Sequence, residues 1–171
     1  MTPPTLTTER LTLTALSDRH FEPMAAFYAD DRSSFVGGPL TAERTWRVLA
    51  GEIGHWTLRG YGRFAVELTA TGEMVGLIGP WNPHAWPEPE IGWDLMNGHE
   101  GKGYATEAAK ATRDWAYSAL GWTTVISLVA EGNHGSRKVA ERLGCTLEGP
   151  YTHEIYGTMN IWRHPGPEAA S

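Results

Sequence analysis

The stretch EIGWDLMNGHEGKGYATEA, residues 90–108, contains the pattern around which the rest of the fold is arranged. Its first six residues predict a strand, and its last five open a helix at Tyr104. Between them, Gly101 and Gly103 allow a tight turn that exposes backbone N–H groups. The first N–H groups of a helix have no partner inside it, and the helix dipole adds positive charge there. The turn therefore predicts a site for a phosphate or pyrophosphate.

Taken alone, this turn is also compatible with two other roles. It could simply start a helix, or it could belong to a nucleotide-binding domain. The chain lacks the Gly-x-x-x-x-Gly-Lys-Ser/Thr pattern of a P-loop, and Thr106 stands where the dinucleotide-binding fingerprint has its third glycine. Both alternatives stay open on the evidence of the turn itself.

Strand and helix patterns extend outward from the turn in both directions. The helix continues to Leu120, and residues 124–130 are β-branched and apolar, so they predict the next strand. A strand, a helix and a strand in this order form a crossover between parallel strands. On an earlier helix that begins at Thr41, the expected buried face consists of Trp46, Leu49 and Ile53. The other predicted elements are strands at 10–16, 63–68, 74–78, 146–151 and 154–162, helices near 17–28 and 133–143, and a proline-rich loop at 79–89.

Length and composition indicate one domain. The chain has 171 residues, a net charge of −6 and one cysteine, Cys145. We assign the domain to residues 6–164 and interpret 1–5 and 165–171 as flexible tails. The acidic balance argues against nucleic-acid binding, and no apolar run approaches the roughly 18 residues of a membrane span. The histidines show no metal-ligand spacing, so no metal is expected. One cysteine and no signal pattern predict a soluble cytoplasmic protein, and no pattern specifies its oligomeric state.

Four blocks of sequence, in this order and spacing, resemble the GNAT acetyltransferase superfamily: residues 90–93, 101–108, 133–136 and 141–144. The branch that they resemble most is the ribosomal-protein N-terminal (alanine/serine) acetyltransferases. The resemblance implies a single-domain α/β (α+β) fold, in which helices flank a mixed, mostly antiparallel sheet with a parallel, splayed strand pair. It implies an enzyme that transfers acetyl from acetyl-CoA to a primary amine, by direct attack through a tetrahedral intermediate. The amine would belong to a protein N-terminus or to a small molecule.

The resemblance also implies which residues hold acetyl-CoA. The turn would bind the pyrophosphate through its backbone N–H groups, and the strand before it would bind the pantetheine arm. The expected cofactor-binding residues are Leu95, Met96, Gly101, Lys102, Gly103, Tyr104, Ala105, Thr106, Asn133, Ser136 and Arg137. For Arg137, a solvated helix face is the alternative. Glu100 departs from the Gln or Arg that often opens this loop, and its charge is unfavourable beside a pyrophosphate.

The expected chemistry requires a group that removes a proton from the amine, because alkyl ammonium groups titrate near pH ~10. Glu90 is the first candidate for this base, acting through water, and a salt bridge or solvent contact is its alternative role. Ala140 stands where many members of the family have a tyrosine acid. Ser136 is therefore expected to hydrogen-bond the departing thiolate, unless its hydroxyl only satisfies helix N–H groups.

The acceptor amine is expected to lie against side chains near the strand that begins at Glu90. The predicted substrate-binding residues are Phe35, Trp81, Asn82 and Trp93, each of which could instead serve packing. Because the tyrosine acid is missing, a non-catalytic acyl-CoA-binding or sensing module on the same fold is the alternative function.

Overall fold

The computed structural model describes residues 2–169. Met1, Ala170 and Ser171, which fall in the predicted tails, lie outside the described residues. The strands are β1 (Leu6–Thr7), β2 (Leu11–Thr14), β3 (Phe64–Leu68), β4 (Met74–Trp81), β5 (Glu90–Leu95), β6 (Ile126–Ala130), β7 (Thr146–His153) and β8 (Gly157–Arg163). The helices are α1 (Phe21–Ala29), α2 (Ala42–Arg59), α3 (Tyr104–Leu120) and α4 (His134–Arg142), with short 3₁₀ helices at Asp18–His20 and Asp31–Val36.

The described strands form one eight-stranded sheet in the order β1-β2-β3-β4-β5-β6-β8-β7. Neighbours in it are antiparallel except β5 and β6, which α3 connects as a crossover. The prediction of a mixed, mostly antiparallel sheet with one parallel pair is therefore confirmed. The domain limits at residues 6 and 164 stay a prediction.

The end of β4 differs from the sequence prediction, which placed a loop from residue 79 onward. Instead β4 continues to Trp81 and pairs with β5 along its whole length. Met96 donates its N–H to the Val75 carbonyl, so every second residue pair of this antiparallel ladder is hydrogen-bonded. Pro80 and Ile91 form one of the pairs without hydrogen bonds. The last residue of β4 that pairs with β3 is Ile78. Pro80 can extend the strand because no ladder bond needs its missing N–H.

The buried face of α2 also differs from the predicted one. Leu49 is buried as expected, but Trp46 and Ile53 are 56% and 42% exposed. The helix instead buries Glu52 and Trp56 beside Leu49. Glu52 turns inward because it forms a buried ion pair with Arg63, and the hydrophobic pattern of the helix does not contain this partner.

Groups of buried side chains hold the helices to the two faces of the sheet. Along β3, Phe64 and Val66 pack in the group that contains Ala105, Ala108 and Ala109 of α3. Ala65, between them in sequence, packs in the other group with residues of α1 and α2. The alternation follows from the period of two in a strand. Small residues on α3 allow the helix to lie close to the strands beneath it.

Within residues 2–169, no helix is long and apolar enough to cross a membrane. The same residues contain no group of three or more His, Cys, Asp or Glu that could hold a metal ion.

Gly79 gives a test of the close approach between β4 and the segment before β3. A Cβ at this position would lie 3.1 Å from the Gly62 carbonyl oxygen and 3.2 Å from the Arg63 Cα. We expect Gly79→Ala to lower the free energy of unfolding by about 1–3 kcal/mol, because backbone atoms must move. Gly54→Ala on α2 is the control, since its Cβ meets no atom within 4 Å. It should raise stability by about 0.5–1 kcal/mol. Urea unfolding measures both, and equal stability of the two variants would contradict this packing.

Candidate functional site

The parallel strands β5 and β6 diverge after a single residue pair, Glu90 with Ile126. Beyond that pair, side chains form hydrogen bonds to backbone groups that a neighbouring strand would bond in a continuous ladder. The Ser127 hydroxyl donates to the Ile91 carbonyl at 2.6 Å, and the Leu128 N–H donates to a Glu90 carboxylate oxygen at 2.9 Å. Because alternate residues of β5 bond to β4, the N–H groups of Trp93 and Leu95 face the opening between β5 and β6.

A buried chain of hydrogen bonds supports the point of divergence. Ser127 gives its proton to Ile91, so it accepts a hydrogen bond from His164, whose Nε2 lies 2.8 Å from the hydroxyl. Nδ1 of His164 then accepts from Arg113 at 3.4 Å. Burial, together with the charges of Arg113 and Arg163, lowers the pKa of His164 to about 3. The imidazole is therefore neutral, as both its hydrogen bonds require.

One cavity lies at the start of α3. We call it the helix-end cavity; its volume is about 460 Å³. It is bounded by the glycine turn, by the end of β5 and by α4. Residues lining it include Trp93, Leu95, Gly101, Gly103, Ala105, Thr106, Asn133, Ser136, Lys138 and Arg142. The structure thus brings most of the expected cofactor-binding residues to one place.

The glycine turn has the geometry that an anion site needs. Gly101 and Gly103 have φ angles of +74° and +85°, in the left-handed region. The first intrahelical bond runs from the Glu107 N–H to the Gly103 carbonyl. Among the described residues, none accepts a hydrogen bond from the N–H groups of residues 104–106. The Thr106 hydroxyl is buried, and no atom of residues 2–169 forms a hydrogen bond with it. These donors match the oxygens of a phosphate or pyrophosphate.

Glu100 lines the helix-end cavity, but its charge is paired. Its carboxylate forms an ion pair with Arg32, which follows α1. Arg32 also donates to the Leu95 carbonyl at 3.2 Å and to Asn97 at 2.7 Å. The negative charge that the sequence places beside the turn is therefore opposed by a cation from a distant segment.

Three expected cofactor-binding residues of the strand and the turn lie outside this cavity's lining. Met96 is buried in the core, and its N–H is bonded to Val75. The Lys102 carbonyl accepts a hydrogen bond from Arg10 at 2.9 Å, and the Arg10 guanidinium lies over the Tyr104 ring. Their described contacts are structural: they hold β5 and the turn in place.

On α4, the structure separates the predicted residues into two sets. Asn133 caps the helix, since its side-chain oxygen accepts from the Ser136 N–H. The Ser136 hydroxyl oxygen accepts from the Trp93 indole at 3.2 Å, which leaves the hydroxyl proton free to donate. Arg137 is exposed and pairs with Glu141 at 2.8 Å, outside the cavity lining. Lys138 and Arg142 reach the cavity instead.

A second cavity, of about 350 Å³, is lined by three carboxyl groups, and we call it the carboxylate cavity. These are Glu52, Glu90 and Asp94, and Arg63 lies among them. All four residues are buried. Phe35, Val36 and Asp94 line both cavities, so the two spaces meet at the end of β5.

Glu90 is the carboxyl group in this cavity without a bond to Arg63. Its two oxygens accept from the Trp86 indole and the Leu128 N–H, each at 2.9 Å. Burial raises the pKa of Glu90 to about 7, and the two hydrogen bonds oppose that shift in part. The carboxyl group can therefore exchange a proton near neutral pH.

The other two carboxyl groups share Arg63, and sequence reasoning missed this set. Arg63 donates to Asp94 at 2.8 Å and forms an ion pair with Glu52. Burial raises the pKa of Glu52 and of Tyr28, which also lines the cavity. One signal was present: Glu90, Gly92 and Asp94 alternate on β5, so both acids occupy one face of a buried strand.

The predicted substrate-binding residues are divided between several places. Phe35 and Trp81 line the carboxylate cavity. Trp93 lines only the helix-end cavity, where its indole holds Ser136. Asn82 lies outside both linings, and its amide donates to the Tyr61 hydroxyl at 3.4 Å. The structure does not bring Asn82 to the site.

Comparison with known proteins places these features in a family. The model of the acetyltransferase (GNAT) domain matches residues 10–146. The structure of an acetyltransferase from Agrobacterium tumefaciens str. C58 is 41% identical, with a TM-score of 0.87 over 96% of this chain and 95% of that one. The N-acetyltransferase p20 of Bacillus licheniformis is 29% identical over 85% of this chain and 84% of its own. Ribosomal-protein-S5-alanine acetyltransferase from Vibrio fischeri, at 17% identity, shares the fold, with a TM-score of 0.72 over 95% and 97%.

The neutral state of His164 predicts how stability depends on pH. In the unfolded chain this histidine has a pKa of about 6.5, whereas in the folded protein its pKa is about 3, so it takes up a proton only at much lower pH. Lowering the pH from 7 to 5 should therefore cost about 2 kcal/mol of unfolding free energy through this group alone. We expect His164→Gln to lose that part of the pH dependence in urea unfolding. His84→Gln, at an exposed position, should keep it. Identical pH dependence in the native protein and His164→Gln would contradict the assignment.

Proposed function

The chain belongs to the GNAT acetyltransferase family and is an acetyl-transferring enzyme, and we propose that it moves acetyl from acetyl-CoA to a primary amine by direct attack. The observation that carries this proposal is the meeting of the two cavities beside Asp94, with an anion-binding turn in one and a buried Glu90 in the other. We also propose the cytoplasm as its location, because the single cysteine, Cys145, is free.

The helix-end cavity fits acetyl-CoA by the chemistry of its donors. The turn offers unpaired N–H groups and the Thr106 hydroxyl to the pyrophosphate, and Lys138 and Arg142 add positive charge. The N–H groups of Trp93 and Leu95 face the opening between β5 and β6, where they can bind the amide groups of the pantetheine arm. When bound, acetyl-CoA supplies an acetyl group activated as a thioester.

Glu90 has the properties of a general base for the amine. Its carboxyl group is buried in the carboxylate cavity, and burial raises its pKa to about 7. At neutral pH a large fraction is ionised and able to take a proton from an ammonium group, directly or through water. The resulting free amine is held next to the acetyl group, which supplies much of the rate by proximity.

The proton and bond changes balance with groups that the chain provides. The ammonium gives one proton to Glu90, and its nitrogen forms a bond to the acetyl carbon as the carbon–sulfur bond breaks. The second proton that the nitrogen loses neutralises the departing thiolate. Ser136 can hydrogen-bond the sulfur with its free hydroxyl proton, since its oxygen already accepts from Trp93. N–H groups in the opening between β5 and β6 can stabilise the negative charge on the carbonyl oxygen.

Glu90→Gln tests the assignment of the base. With saturating acetyl-CoA, kcat/KM of the native enzyme for an amine should rise with pH through a midpoint near 7. In Glu90→Gln the midpoint near 7 should be lost, leaving only the rise that follows the fraction of free amine, and kcat at pH 7 should fall by roughly 10²–10⁴-fold with affinity for coenzyme A unchanged. Thiol release measures the rate, and Glu88→Gln, outside both cavities, is the control. Unchanged turnover in Glu90→Gln would remove it as the base. Absence of thiol release with every amine would favour the non-catalytic module.

Thr106→Val tests the anion site. The valine keeps the shape but removes the unpartnered hydroxyl, so we expect coenzyme A affinity to fall about tenfold. The free energy of unfolding should stay the same or rise, because no protein hydrogen bond is lost. Thr112→Val is the matched control, since that buried hydroxyl bonds the Ala109 carbonyl within α3. Equal coenzyme A affinities of the two variants by calorimetry would contradict a cofactor contact at Thr106.

A further inference from the structure

The carboxylate cavity contains more negative than positive groups. Glu52, Glu90 and Asp94 line it, and Arg63 is the cation among its lining residues. Each guanidinium nitrogen of Arg63 already donates to a carboxylate: two to Glu52 and one to Asp94. A buried negative charge without a partner is costly, so the cavity is better suited to a cationic ligand than to an anionic one.

Asp94 has the carboxylate oxygen that is free for such a ligand. One of its oxygens, Oδ2, accepts from Arg63 at 2.8 Å. Within residues 2–169, no donor is bonded to its other oxygen, although the side chain is only 4% exposed. Glu52 differs, because both its oxygens bond to Arg63. Asp94 lines both cavities, so its side chain lies where the two spaces meet.

The rest of the cavity lining is apolar or aromatic. Trp86 and Tyr156 meet edge to face at 5.5 Å, and the apolar lining includes Leu40, Val48, Leu128 and Met159. Trp81 also lines the cavity; His55 stacks on its ring, and Arg63 lies 5.0 Å from the ring centre. A cavity of about 350 Å³ with such walls has the size and polarity of a small-molecule site.

We propose that the acceptor is a small primary amine with a compact apolar or aromatic body and no carboxylate, whose ammonium group binds Asp94. This inference rests on the proposed function. Asp94 is thus a specificity-determining residue, and Glu90, four residues before it on the same strand, takes the proton through water. An amino acid is disfavoured because its carboxylate would enter a cavity in which three carboxyl groups already face one cation, Arg63.

The first experiment compares acceptors on the native enzyme at saturating acetyl-CoA. Its panel contains 2-phenylethylamine, phenylalanine, phenylalaninamide, spermidine and a twelve-residue peptide with an N-terminal alanine. We expect kcat/KM to be at least about tenfold higher for 2-phenylethylamine than for phenylalanine, spermidine or the peptide. Phenylalaninamide should regain most of the loss seen with phenylalanine, because only the carboxylate has been removed. This comparison uses only the native enzyme, so it does not depend on the folding of any variant.

The second experiment uses Asp94→Asn, which keeps the size of the side chain and an oxygen for Arg63. We expect kcat/KM for 2-phenylethylamine to fall at least about tenfold, mainly through a higher KM. Affinity for coenzyme A should stay within about twofold. The preference for 2-phenylethylamine over phenylalanine should shrink at least about tenfold. Glu43→Gln changes net charge equally at an exposed position of α2 and should leave every ratio unchanged.

The outcomes separate this inference from the proposed function. Transfer to the peptide or to phenylalanine with higher kcat/KM than to 2-phenylethylamine would overturn the inference and leave the acetyltransferase proposal standing. A preference for spermidine would do the same, since it would require further cation sites. An unchanged preference in Asp94→Asn would overturn the role of Asp94. Absence of thiol release with every acceptor would overturn the proposed function as well.

Discussion

The arrangement of the site depends on one constraint: β5 and β6 start as a parallel pair and separate after Glu90 and Ile126. A sheet that opens in this way leaves backbone groups without a ladder, and these groups need other partners. Ser127 and the Glu90 carboxylate supply two of them at the point of separation. Further along β5, the unpaired N–H groups line an opening that a ligand can fill. The opening is therefore both the weak point of the sheet and the place where the two cavities can meet.

The buried polar groups around that opening are divided by task. Arg113, His164 and Ser127 form a chain of hydrogen bonds in which the histidine is neutral. The chain ends at the carbonyl of Ile91 and fixes the position of β5. Glu90 lies in the carboxylate cavity, where burial raises its pKa to about 7, and this value suits proton transfer. Asp94 keeps one free oxygen because Arg63 is shared with Glu52. Burial thus tunes each group differently: it keeps the histidine neutral and lets Glu90 exchange a proton.

Sequence patterns predicted the elements well where local signals were strong. The glycine turn, the helix that follows it and the parallel crossover are confirmed, as is the family. Patterns failed where a distant partner decides orientation. The exposed Trp46 and Ile53 on α2 contradict the predicted face, because Glu52 turns inward to Arg63. Similarly, the sequence places the charge of Glu100 beside the anion site, and only the fold supplies Arg32 as its partner.

The sequence by itself determined the chemistry of the turn and the candidate base. A glycine turn before a helix exposes N–H groups wherever it occurs, and the position of Glu90 at the start of a strand follows from local pattern. Only the tertiary structure decided the pocket: it brought Glu52, Arg63 and Asp94 together from a helix and two separate segments, and it left Asn82 and Arg137 outside. The physical reason is that backbone geometry is local, whereas burial and charge pairing arise between residues far apart in the chain.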